Sequence, residues 1–219
     1  MHIMVKGNAG TTAEVGGAVF QAVHTHAKPL EYGSLGHYRT SVRIVGTNTQ
    51  AANSRLLEIQ NGHATNLIIP TLLNITTLQI AVGTVQENFL DCFKCTSFTA
   101  VDTTNTVTPV SSVRRTSMAA YPGGANVRHL TLTGNLSGMT GGTLTKDTGP
   151  FGKYPYVVSS SINTTRTWPT TNMLENDSFS YPFVFVQNEG YIVENSVLNN
   201  TSLGVIWIFD WAWAEVTAF

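Results

Sequence analysis

The chain has 219 residues, 42% of them hydrophobic and only 11% charged, with a net charge of −1. The charged share lies well below the roughly 25% of ordinary globular domains, and no basic cluster exceeds Arg114-Arg115, which argues against a nucleic-acid partner. Thr, Asn, Ser and Gly stand in for the missing charges, a mixture that favours strands and turns, on a surface with little self-repulsion and suited to packed assembly.

The first segment, 1–29, is small and Gly-rich and reads as an extended N-terminal arm. Its "GNAGTTAEVGG" lacks both the P-loop lysine and dinucleotide spacing, and Val15, Val19, Phe20 and Val23 are available for docking on a neighbour. "HTH" sets His24 and His26 on one face of a strand, with His37 further on. A cupin-like metal site uses such spacing, but no further ligands are visible, and no metal or other cofactor is expected. The N-terminus has no secretory apolar core.

From residue 30 onward the pattern is that of a single β domain. "TSVRIVG" (40–46) alternates Val42 and Ile44 against Ser41 and Arg43, and "RLLEIQNG" (55–62) ends in the turn signal Asn61-Gly62. "NLIIPTLLNITTLQIAVG" (66–83) is broken by Pro70, so the spacing predicts two strands or one strand with a bulged bend. "NFLDCFKCTSFTAV" (88–101) is the next strand. It carries Cys92 and Cys95, whose separation by three puts the thiols on opposite faces. One pair cannot complete a four-ligand zinc site, and two packed free thiols are expected.

Residues 102–150 are rich in Thr, Ser and Gly and read as a loop or small protruding hairpin inserted into the domain, with "VRHLTLTGNL" (127–136) keeping a strand pattern. "YPYVVSSSI" (154–162) and "YPFVFVQNEGYIVENS" (181–196) resume strand character. All twelve Lys and Arg lie at or before Arg166, and six acids follow it: Glu175, Asp177, Glu189, Glu194, Asp210 and Glu215. That asymmetry either serves head-to-tail contact or is cancelled by intermixing in the fold.

The last run, "VIWIFDWAWAEV", is apolar on both strand faces. Val205, Trp207, Phe209, Trp211 and Trp213 share one face, and Ile206, Ile208, Ala212, Ala214 and Val216 share the other, interrupted by Asp210. Twelve residues fall short of the roughly 20 that a membrane helix needs, so no membrane partner is expected. A strand solvated on one side shows polar residues at every second position, so both faces should meet protein. Trp207, Trp211 and Trp213, with Val19 and Phe20, are therefore the candidate subunit-interface residues. Trp168 and the terminal tryptophans are alternatively sugar-stacking residues. Asp210 and Glu215, five apart on a strand, face opposite sides and cannot jointly flank one bond. No G-x-S-x-G elbow occurs, and no enzyme activity is expected. No amphipathic helix and no fixed-period repeat is found. Many short strands at near-regular spacing predict an all-β, antiparallel, jelly-roll-like sandwich over 30–219.

"FVFVQNEGYIVEN" (183–195), "IWIFDWAWAEV" (206–216) and "SVRIVGTNTQAANSRLLEIQNGHATN" (41–66) together resemble a pattern found in small virion proteins of tailed phages. The resemblance covers about a third of the chain. It implies a non-enzymatic capsid decoration, cement, head-fibre or tail-associated protein, carried on the virion and assembled in the host cytoplasm. The implied partners are other copies of the chain, a trimer by preference, and the major capsid protein or other virion proteins. A carbohydrate-binding sandwich and a cupin-like metal protein are the alternatives.

Overall fold

The computed structural model describes residues 3–6, 12–15, 36–46, 50–109, 114–115, 124–131, 137–160, 166–167, 169–174, 183–199 and 204–217. Every regular element among them is a β-strand, and no helix occurs among the described residues. Within the N-terminal segment, β1 (Ile3–Lys6) and β2 (Thr12–Val15) pair antiparallel as a small sheet of their own. Val19 and Phe20 lie outside the described residues.

Two six-stranded antiparallel sheets make the body. The first contains β3 (His37–Val45), β5 (Leu67–Gln79), β8 (Arg114–Arg115), β11 (Arg166–Thr167), β12 (Thr171–Asn172) and β14 (Val205–Val216), in the order β11-β5-β14-β3-β8 with β12 also on β5. The second contains β4 (Ser54–Asn61), β6 (Gln86–Cys95), β7 (Thr106–Val107), β9 (Ala125–Leu130), β10 (Gly152–Val158) and β13 (Gly190–Asn195), in the order β10-β6-β13-β4-β9-β7. With β7, β8 and β9 set aside, four strands in the order β3-β14-β5-β11 face four in the order β4-β13-β6-β10. The chain crosses between the sheets at nearly every step, which is the eight-stranded jelly roll.

The side-chain period of two drives this arrangement. In β3, Val42 and Ile44 point inward while Arg39, Ser41 and Arg43 are exposed, as the alternation predicts. β5 is one long strand with a register shift opposite Ala212 and Trp213, in the Pro70–Leu72 region. Proline lacks the ladder N–H, and Pro70 sits where β5 pairs with β14 alone, since β12 and β11 meet it only at Asn74–Ile75 and Leu78–Gln79. The expected bulged bend is therefore present.

The turn expected at Asn61-Gly62 is present and takes the chain from one sheet to the other, with Asn61 Nδ2 donating to the carbonyls of Asn66 (2.9 Å) and Phe185 (2.7 Å). Two local expectations are revised. The strand expected at Phe183–Gln187 is reduced to one bridge, Phe185 to Ile68. Its alternating aromatics serve instead to close the bottom of the core, where Phe185 is 1% exposed and Phe183 packs against the same cluster. Finally, residues 137–147 of the 102–150 segment do not protrude. Bridges at Cys95 to Lys146, Ala100 to Thr143 and Thr104 to Thr140 lay them, with residues 95–104, along the outer face of the second sheet. There Phe98, Val101 and Leu144 pack on Phe93, Cys95 and Ile192 as a second small core. Its strands β9 and β7 extend the second sheet beyond β4, and β8 pairs with the outer edge of β3. The insertion thus covers one face and pairs with edge strands that would otherwise offer free backbone groups.

Candidate functional site

The strand with two apolar faces is β14. Its inward side chains Val205, Trp207, Phe209, Trp211 and Trp213 are each 0% exposed and belong to the main core between the sheets. Trp211 and Trp213 stack with ring centroids 4.1 Å apart, and the edges of Tyr191 and Tyr156 on the opposite sheet meet Trp211 and Trp207 at 6.3 and 6.4 Å. The three tryptophans singled out as interface candidates therefore fill one chain's own interior, and their side chains have no exposed surface to offer a neighbour. The outward face is buried within the chain as well: Ile206, Ala212, Ala214 and Val216 are covered, and only Ile208 and Asp210 are half-exposed. Asp210 pairs with Ser41 and is flanked along the register by Arg39 and Arg43, opposite Ala212 and Ile208, so early cations and late acids intermix here.

The densest buried polar group lies where the insertion meets the outer face of the second sheet. Glu58 on β4 and Asp102 in the insertion are both 0% exposed. The Asp102 N–H donates to Glu58 Oε1 at 2.6 Å, and Arg55 Nη2 lies 3.1 Å from Asp102 Oδ1. The Gly142 N–H donates to that same oxygen at 2.7 Å. A bulge between Val193 and Glu194 lets Arg55 join Glu58 on the outer face. Burial, and then the charge of Asp102, push the Glu58 carboxyl up to about 8, so it keeps its proton at neutral pH. Lys146 on the insertion pairs with Glu194 of β13 at 2.5 Å, and its ammonium lies 4.2 Å from the centroid of the Phe93 ring. The arrangement is a set of polar fastenings that hold the insertion to the sheet. It has one cation against two carboxylates in its inner part, which the retained proton balances.

At the far end of β14, Glu215 Oε1 accepts from Trp213 Nε1 at 3.1 Å, and Glu215 Oε2 lies 3.0 Å from His63 Nε2. The ring of His63 packs directly on Gly124, where a Cβ would fall 1.7 Å from the His63 ring and φ is +117°, so only glycine fits. This contact fastens the turn after β4 to the entry of β9. Asp210 and Glu215 face opposite sides, as their spacing predicts. His37 bonds Thr71 Oγ1 at 2.9 Å and is held below its ordinary basicity by burial. His24, His26 and Trp168 lie outside the described residues. No group of three or more His, Cys, Asp or Glu suited to a metal occurs among the described residues. Cys92 and Cys95 are free and buried on opposite faces, Cys92 in the main core and Cys95 in the second one. Burial raises both thiols, that of Cys95 to about 12, with Glu194 the next contributor.

Sequence reasoning missed Arg55, Glu58 and Asp102. The one available signal was Glu58 inside the apolar run "RLLEIQ", because a charge in a covered strand requires a partner. No matching protein-family model is found for the sequence, and no curated protein matches it. A solved structure described as "KBV activated particle at acidic pH" is similar with a TM-score of 0.20 and 10% identity over 83% of this chain and 69% of that chain. A likeness that weak adds nothing to the strand order.

Proposed function

We propose that the chain is a non-enzymatic structural component of a phage virion, a capsid decoration or cement protein that forms a homo-oligomer, a trimer by preference, and binds the particle lattice. The observation that carries this reading is the strand order β3-β14-β5-β11 facing β4-β13-β6-β10, since the jelly roll is an architecture of viral capsid domains. The same architecture serves lectins and cupins, and fold alone does not choose among them. The interior does bear on the choice. Trp207, Trp211 and Trp213 have no surface on which to stack a sugar. The space between the sheets, where a cupin holds its metal, is filled by tryptophan and tyrosine rings. Support also comes from the surface, which is poor in charge, and from an insertion that spends its apolar residues on rigidifying the domain. Mass spectrometry of gradient-purified particles should find the chain in many copies, and antibody against it should decorate their outside. A chain that stays entirely in the soluble fraction of a particle-producing lysate would overturn the reading.

A further inference from the structure

One end of the sandwich is built from connections without a charged residue. Antiparallel order brings four connections to that end, described at 46 and 50–53 after β3, 80–85 after β5, 159–160 after β10, and 196–199 and 204 after β13. None of the four contains Asp, Glu, Lys, Arg or His. Their described parts are tied together. The buried Gln79 side chain donates to the carbonyls of Ala81 (3.0 Å) and Ser159 (2.8 Å) and accepts from the Ser159 N–H at 3.0 Å. The Gly83 N–H donates to the Ser159 carbonyl at 3.0 Å, and the Asn199 N–H to that of Gln50 at 2.9 Å. Gln86 Nε2 reaches the Leu198 carbonyl at 2.7 Å. Gly204 approaches so closely that a Cβ on it would lie 2.3 Å from that of Ala81. On this stitched base Ile80, Val82, Val85 and Leu198 stand 51%, 53%, 64% and 50% exposed. The other exposed large hydrophobic side chains among the described residues are Val107 at 40% and Val186 at 49%. Single exposed apolar residues are ordinary, but a group of them on one uncharged end marks an interaction surface.

We propose that this end is a self-association surface that packs against the same end of a second copy of the chain. The charge pattern selects that occupant. When a surface meets its own copy about a two-fold axis, charges near the axis are brought toward like charges, and the described residues of these connections carry none to repel or to strip of water. The nearest charged residues in sequence, Arg55, Glu87, Arg166 and Glu194, flank the connections and do not belong to them. A self-complementary patch is what a closed symmetric contact requires. The hydrogen bonds that already fix the described parts of the connections reduce the ordering to be done there on association. Packing of one end on the same end of a second copy is two-fold, so this inference rests on the homo-oligomer of the proposed function and gives it a dimeric contact in place of the preferred trimer.

The test is the native mass of the full chain across a concentration series. The unaltered chain should appear as a multiple of 23.7 kDa. Val82→Asp and Val85→Asp should each raise the dissociation constant by at least about tenfold while leaving circular dichroism and melting temperature unchanged. Val186→Asp, equally exposed at the opposite end, should leave the mass as it is. If either loop variant melts early, Leu198→Lys gives the same reading from another connection. An unaltered chain that stays at 23.7 kDa at every concentration overturns the proposal and assigns this end to a partner of another kind. Dissociation by Val186→Asp alone overturns it too. A monomer that is nonetheless found in purified particles sinks this inference and leaves the virion reading standing. An oligomer broken by Val82→Asp but absent from particles does the reverse.

Discussion

A buried side chain is held by what surrounds it, and at the residue scale two cases give opposite responses to substitution. Trp211 is stacked on Trp213 and edged by Tyr191. Trp211→Ala should cost about 3–5 kcal/mol, read as a lowered denaturation midpoint with loss of the fold, and should not act as a clean dissociation. Glu58 responds through its proton. Its folded-state carboxyl is raised to about 8 from an ordinary 4.5, by burial first and Asp102 second, with Arg55 opposing. Below pH 4.5 both folded and unfolded chains hold the proton and the stabilising difference is fully present. As pH rises toward 8 the unfolded chain has released its proton and the folded chain has not, so stability falls by at most about 1.4 kcal/mol per pH unit. Above 8 the loss is complete. Melting curves at intervals from pH 4 to pH 9 should show this slope in the natural chain and a shallower one in Glu58→Gln. Equal slopes would remove Glu58 from the account. The alternation that buries Trp211 was legible in the sequence. The pairing of Glu58 was not, because its partner stands in a Thr-rich segment with no strand register to locate it.

At the scale of elements, the insertion is the part most separable from the rest. It is fastened by Phe98 and Leu144 on Phe93 and Ile192, and by the ion pairs of Arg55 and Lys146, so it should open before the sandwich unfolds. Phe98→Ala is expected to raise amide hydrogen exchange across 96–105 and 137–147 while β5 and β14 stay protected. The cysteines give an independent readout, since Cys95 lies beneath the insertion and Cys92 between the sheets. With Phe98→Ala, a maleimide should label Cys95 well ahead of Cys92, and simultaneous labelling would mean that the two cores open together. Opposite faces for the two thiols followed from strand spacing alone. That residues 137–147 of the Gly- and Thr-rich segment lie flat on the sheet did not, because the apolar residues there have no periodicity and find their contacts through bridges to a distant part of the chain. The aromatic alternation at Phe183–Gln187 misled for a related reason: apolar side chains plug the end of a core as readily as they line a strand.

For the whole molecule, strand content and a two-sheet architecture were readable from composition and period. The membership of β7 and β8 was not, since two-residue strands carry no pattern, and β9 showed its strand pattern without its place beside β4. Burial of β14 on both faces was also anticipated, but the chain achieves it largely within itself, which moves the expected contact between copies from the tryptophans to the uncharged end. That relocation has a measurable signature. A contact made between charge-free surfaces is insensitive to screening, so the dissociation constant of the natural chain should change less than about twofold between 50 mM and 500 mM salt. A contact built on the split between early cations and late acids should weaken steeply over the same range.

The order of the strands also sets a schedule for biosynthesis. In the second sheet the strand that joins β4 to β6 is β13, and in the first the strand that joins β3 to β5 is β14. The centre of each sheet is thus supplied by the strand made after all the other described strands of that sheet. Until then β3, β4, β5 and β6 exist without the neighbours that unite them, and long-range pairing of this kind is slow and exposes strand edges. Nascent chains halted at residue 204 should be cut readily by protease along their length, whereas chains extended through Val216 and clear of the exit tunnel should resist. Protection of the shorter chains would mean that the sandwich closes without its central strand.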